Sequence, residues 1–265
     1  MLADFFNLVH NENMKIYRRP RTYIMMGVLV GLVLIISIMW RIFGSDYTSM
    51  WSVVREESSI LFLLITIFTV IVAASIVAEE FTAGTIKLLL IRPWSRTKIL
   101  LSKYIATVMF IVLLAFLLLV SSLLVNWICF DLFNTMEKVP QLIMPMGTSN
   151  FEYIIQYYVL SLITTIMTTT IAFMISTIFR SSGLAIGISL FLVLIVNNLM
   201  LLLMALPYKW VDYLLFAHLY LTPYLNPEIP HGDMTLAFSL SVLACYYVVF
   251  MSITWYVFNK RDVAA

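Results

Sequence analysis

The chain has 265 residues and a formal net charge of +2, with 62% apolar and 11% charged side chains and a mean hydropathy of +0.99. Ordinary globular chains are about 45–50% apolar and about 25% charged, and a soluble domain of this length has too much surface to hide the excess. The composition excludes a soluble domain, a disordered chain and a disulfide-stapled secreted module, and predicts an all-α polytopic membrane protein.

Charge-free intervals place the spans, because an ionised side chain at the bilayer centre costs at least about 2.5–3.5 kcal/mol. Six intervals reach the ~20 residues a crossing helix needs, and predict spans over about 22–42, 58–78, 104–128, 154–179, 183–206 and 235–258. Their Leu/Ile/Val runs do not alternate as a lipid-exposed barrel requires, and every proline falls at an edge or in a connection.

Along the chain, residues 1–21 precede the first span, which carries Gly27 and Gly31 four residues apart. Gly183 and Gly187 repeat that spacing on the fifth span. Such faces either pack within one chain or meet a second copy. The fourth span is rich in hydroxyls, Thr165 and Thr169 among them, and Asn197 and Asn198 lie near the middle of the fifth. These groups either bond backbone and neighbouring helices or line a weakly polar translocation path. Residues 180–183 form a tight turn. Between Asp212 and Glu228 in the 209–233 connection lies an apolar, aromatic stretch too short to cross and too greasy for a solvated loop. A re-entrant element is expected there, with His218 and the tyrosines at headgroup depth and Pro223 breaking the helix. Cys129 and Cys245 sit in apolar runs and are expected to be buried free thiols rather than a disulfide; no signal peptide is legible.

Lys and Arg cluster in the N-terminal segment (Lys15, Arg18, Arg19, Arg21), the 79–103 connection (Lys87, Arg92, Arg96, Lys98, Lys103), Arg180 and the C-terminus (Lys260, Arg261). The alternate connections hold fewer cations and more acids. The positive-inside rule therefore puts both termini and the 79–103 connection in the cytoplasm, with a bacterial plasma membrane as the expected location.

Little in the chain points to catalysis. There is no G-x-x-x-x-G-K phosphate loop, no metal-ligand spacing among His10, His218 and His231, and no G-x-S-x-G or H-E-x-x-H. The spans hold effectively no ionisable group, which disfavours a proton-relay carrier. Outward-facing Asp131, Glu137, Glu152, Asp212, Glu228, His231 and Asp233 leave room for an integral membrane enzyme with an external acidic site, although charge asymmetry alone predicts such a distribution.

The 79–103 connection, EEFTAGTIKLLLIRPWSRTKILLSK, carries more information. Paired acids, Glu79 and Glu80, mark the end of span two. A short apolar run from Ile86 to Ile91 follows Gly84-Thr85, and Arg92-Pro93 breaks it. Ser95 stands where an N-cap opens the next helix. A stubby helix with an apolar face results, either docking a soluble partner or lying on the lipid.

This segment resembles the signature of permease subunits of ABC-2 type ABC transporters, through Glu79/Glu80, Gly84, Thr85, Pro93, Ser95, Arg96 and Lys103 in order. The leader is similar to that family's amphipathic cytoplasmic helix, with Leu2, Phe5, Phe6, Val9, Ile16 and Tyr17 near one face and Asn7, Asn11, Lys15 and Arg18 opposite. The resemblance covers the six-span layout and implies that residues 1–265 form a single ABC-2 type transmembrane domain. It implies a permease paired with a second, identical subunit and two copies of a separate ABC ATPase. ATP and Mg would bind in that partner, with no cofactor in this chain and no nucleic acid. The 79–103 segment would be the coupling segment, with Glu79, Glu80, Gly84, Thr85, Ile86, Leu88, Leu89, Arg92, Pro93, Ser95 and Arg96 meeting the ATPase. The implied activity is export of an amphipathic or hydrophobic compound such as a peptide toxin or antibiotic. A membrane anchor that recruits an ATPase without transporting anything is the remaining alternative.

Overall fold

A computed structural model describes residues 2–44, 49–85, 94–131, 149–179, 181–204, 213–225 and 234–260. Among these the chain is all-α, with eight α-helices: α1 (Leu2–Tyr17), α2 (Pro20–Phe43), α3 (Met50–Ile76), α4 (Ala78–Thr82), α5 (Arg96–Asn126), α6 (Asn150–Ile178), α7 (Ser182–Met204) and α8 (Leu236–Lys260). Five of them are long and apolar enough to cross a membrane: α2, α3 with its continuation α4, α5, α6 and α8. Helix α7 is also apolar and 23 residues long, but its side chains beyond residue 195 lie outside the described residues.

Helix starts follow side-chain chemistry. Pro20 opens α2 at a first-turn position, where its missing N–H costs nothing. Ser49, Ser95 and Ser149 cap α3, α5 and α6, each accepting a hydrogen bond from the backbone N–H three residues on. The Ser95 cap was expected from sequence. Helix α5 accordingly starts at Arg96 and runs on into the span placed over about 104–128, so Lys98 and Lys103 lie within the helix. Likewise α3 starts at Met50 rather than near 58, and Glu57 becomes a buried helical residue rather than part of an external loop. The expectation of no ionisable group inside the bundle fails at that point.

Helices α3 and α6 form the centre, and α2 and α8 the periphery; 67% of the most apolar window of α6 is buried against 11% for α8. A polar ladder joins α3 to α6: Ser58 Oγ to Tyr158 OH at 2.9 Å, Thr66 to Thr165 at 3.3 Å and Thr69 to Thr169 at 3.2 Å. Partner numbers rise together along both helices, so the two run parallel, as alternate crossings must. Tyr104 near the start of α5 meets Thr170 near the end of α6 at 2.8 Å, so those two run antiparallel. Helix α2 buries a single stripe at four-residue spacing, Met25, Leu29, Val33 and Ser37.

The described part of the 209–233 connection forms two one-turn 3-10 helices, Leu215–His218 and Thr222–Leu225. His218 is buried, with Nδ1 2.9 Å from Ser239 Oγ on α8. Tyr224 OH reaches the same Ser239 at 2.8 Å, and Pro223 lies inside the second turn. Both cysteines are free thiols, but Cys245 is exposed on α8 and Cys129 half-buried, so neither is the buried apolar residue expected.

Candidate functional site

At the end of the bundle where α3 passes into α4 and α5 begins, charges converge. The Lys103 side chain is 1% exposed, and its Nζ donates to Glu12 Oε2 of α1 at 2.8 Å and to Glu80 Oε1 of α4 at 2.6 Å. Lys15 of α1 meets the same two acids, at 2.7 Å on Glu12 Oε1 and 2.9 Å on Glu80 Oε1. Two lysines and two glutamates thus neutralise one another, and burial strengthens each contact. Burial alone would push the Lys15 ammonium down, but Glu12 and Glu80 outweigh it and hold it above the ordinary lysine value.

Glu79 faces the other side of α4 and binds both cations that open α2, Arg19 and, at 3.1 Å, Arg21. Arg21 also donates to Ser75 Oγ at 3.1 Å. The paired acids therefore divide their work, Glu79 holding the start of α2 and Glu80 the start of α5. A cavity of about 670 Å³ opens between α1, α4 and the start of α7, lined by these charges together with Leu8, Ile76 and Ser182.

The break between α3 and α4 is supported from α6. Ser176 Oγ accepts from the N–H groups of Val77 and Ala78 at 3.1 and 3.0 Å. Helix α4 ends on Gly84, whose φ of +69° is open to glycine and strained for other residues. Nothing lies within 4 Å of a Cβ placed there. Gly84→Ala is therefore expected to cost about 1–2 kcal/mol for conformation alone, read as a lowered thermal midpoint with unchanged helix content.

Of the segment expected to dock a partner, both feet are described. Thr85 Oγ1 lies 3.5 Å from the carbonyl oxygen of Glu80. On the far side Arg96 donates to the carbonyl of Asn259 at 3.0 Å, favourable for a cation at the C-terminal turn of α8, and Trp255 Nε1 donates to Thr97 Oγ1 at 3.0 Å. Ile86, Leu88, Leu89, Arg92 and Pro93 lie outside the described residues, as do the side chains of Asn197 and Asn198. Thr165 and Thr169 face α3 through the ladder and are buried. A Cβ at Gly27, Gly31 or Gly187 would meet nothing within 4 Å, and one at Gly183 only Ser181 Oγ at 3.9 Å. Among the described residues, no neighbouring helix packs closely against these glycines.

Glu12 was absent from the sequence-based site. The apolar face expected for α1 is rotated from the one observed: Phe6 is 67% exposed, while Leu8, Val9, Glu12, Asn13 and Ile16 are buried. The signal present in the sequence was position, since Glu12 lies four residues from both Leu8 and Ile16 and shares their face.

Residues 18–264 match a family described as "Protein of unknown function (DUF2705)". The chain belongs to that family. In Bacillus subtilis (strain 168) it is similar to the "Uncharacterized protein YhcI", 38% identical over 225 residues that span 83% of this chain and 71% of the relative. It is also similar to the "Uncharacterized membrane protein YdbK", 31% identical over 204 residues, 76% of this chain and 78% of the relative. With its long apolar helices, the DUF2705 member described here is a multi-pass membrane protein. The matched range includes Arg19, Arg21, Glu79, Glu80 and Lys103, and begins just after α1.

Proposed function

We propose that this protein is the membrane-spanning permease subunit of an ATP-driven ABC exporter, with six spans, both termini in the cytoplasm and a separate ATPase bound at the end that carries Lys103. The observation behind this reading is the buried Lys103 bridge from Glu12 to Glu80. It fixes the entry foot of the 86–93 segment to α1 and α5, while Arg96 and Thr97 fix the exit foot to α8. A connection pinned at both ends passes a load to α3 and α5 instead of absorbing it. That arrangement suits a surface on which an ATPase pushes, and a plain loop between two spans has no need of it.

Two permease subunits would pair through the open glycine faces of α2 and α7, and the cargo would be an amphipathic or hydrophobic compound. Thr165 and Thr169 would lock α3 to α6 rather than line the path. Location in a bacterial plasma membrane agrees with the Bacillus relatives.

The test is mild-detergent purification from the native membrane with mass spectrometry of what accompanies the chain. An ATP-binding protein in about equal amount, lost from Gly84→Trp while that variant still elutes as a folded species, is the expected result. No ATPase with the wild-type chain at any detergent strength would sink the reading.

A further inference from the structure

Helix α3 buries a second acid toward its other end. Glu57 is 0% exposed, and its Oε2 accepts from Asn126 Nδ2 at 2.7 Å and from Ser122 Oγ at 3.2 Å, both on α5. Oε1 has no partner. One further buried acceptor beside it is also left over, Oδ1 of the same Asn126, while the Ser37 hydroxyl of α2, which carries its own hydrogen, lies next to the carboxyl without completing a hydrogen bond. Two orphaned acceptors in one buried cluster call for a positive charge or a hydrogen.

No lysine or arginine among the described residues pairs with Glu57. Arg55 is engaged by Glu56 at 2.8 Å, and Arg41 in the last turn of α2 is exposed. From α6 the titratable neighbour is Tyr158, which is hydrogen-bonded to Ser58. The contrast with Glu80, which has two lysines, is complete. A bare carboxylate buried without a cation costs several kcal/mol.

The amide of Asn126 indicates what is missing. Its Nδ2 donates both to Glu57 Oε2 and, at 2.9 Å, to the carbonyl of Ser122. Turning the amide over would set its oxygen against two acceptors, so the orientation is fixed by its partners. Oδ1 and Oε1 are then both acceptors on groups already joined by one hydrogen bond. A hydrogen on Oε1 closes the pair into a two-bond ring, amide N–H to carboxyl oxygen on one side and carboxyl O–H to amide oxygen on the other. A hard metal cation would need about six oxygen ligands, more than this cluster leaves over.

We propose that Glu57 is a proton-binding site inside the bundle, holding one exchangeable proton on Oε1 and donating it to Asn126 Oδ1. The proposal stands on this cluster alone and does not depend on the transport reading. Its place adds a consequence. Glu57 lies near the start of the helix that leads to Glu79 and Glu80, about 35 Å away at 1.5 Å per residue, so a proton bound at one end acts on the element that carries the ion cluster at the other.

The experiment measures thermal midpoints of the full chain and of Glu57→Gln between pH 5 and 8. Glutamine keeps the ring, with an amide N–H replacing the carboxyl O–H. The unfolded wild-type chain releases its proton above the usual glutamate value of about 4.3 while the folded chain retains it, so wild type loses stability relative to Glu57→Gln as pH rises. The gap between the two is expected to widen in favour of the glutamine by about 3 °C per pH unit. A gap that stays constant or narrows overturns the proposal, and so does a Glu57→Gln chain that fails to fold. Wild-type midpoints are also compared in NaCl and choline chloride at equal ionic strength. Equal values are expected, and a rise in sodium alone would replace the proton by a metal ion.

Discussion

Lys103→Met is expected to lower stability by about 3–5 kcal/mol and to free α1 from the bundle. Methionine fills most of the lysine volume, so the loss is electrostatic: Glu12 and Glu80, buried against α5, keep their charges and lose the ammonium that compensates them. Lys15 remains, but its side chain is 46% exposed and is shared between the same two acids. The triple change Lys103→Met, Glu12→Gln, Glu80→Gln removes both stranded charges and is expected to recover more than half of the loss, because a buried ion cluster replaced as a whole by neutral groups of similar size is close to neutral. Thermal unfolding in detergent gives the first quantity. Trypsin cleavage after Arg18, between α1 and α2, reports the second and should accelerate in the single variant and slow again in the triple. A wild-type midpoint in Lys103→Met would mean that the cluster does not hold the helices together.

The architecture was legible wherever one strong penalty dominates. Excluding charge from hydrocarbon placed the middles of the long helices, and backbone capping placed Ser95 at the start of α5. Both are local in sequence. The helix ends were less legible for the same reason: charge-free intervals stop at the first ionisable residue, whereas α3 and α5 continue past Glu57 and Lys103 by pairing or enclosing them. A buried charge betrays itself only through its partner, and the partners here lie far off in the chain. Glu12 and Lys103 are 91 residues apart, and nothing in a single sequence joins them. The matching residues Glu79, Glu80 and Lys103 were identified from a signature, yet their chemistry, one acid serving α2 and the other α5, emerged only from the geometry. The glycines show the opposite case. Their spacing was visible, but that no described residue packs closely against them was not.

Ser176→Ala is expected to have the next largest effect, about 1–3 kcal/mol, from the loss of a single oxygen. Ser176 Oγ accepts from two consecutive backbone N–H groups, Val77 and Ala78, at the point where α3 passes into α4. Both residues and Ser176 itself are fully buried, so water does not replace the lost acceptor. Alanine leaves the packing almost unchanged and the donors unpaired. The cheapest relief is a shift of α4 that finds these donors other acceptors, which would draw Glu79 away from Arg19 and Arg21 and Glu80 away from Lys103. The variant should therefore lose more than a hydrogen bond: trypsin access between α1 and α2 should rise as it does in Lys103→Met, although no charge has been altered. Combining the two changes separates the alternatives. If Ser176 acts by holding α4 in place, the double variant loses less than the sum of the two, because the cluster is already broken. If the losses simply add, Ser176 stabilises the α3–α6 seam alone and the ion cluster keeps its geometry without it.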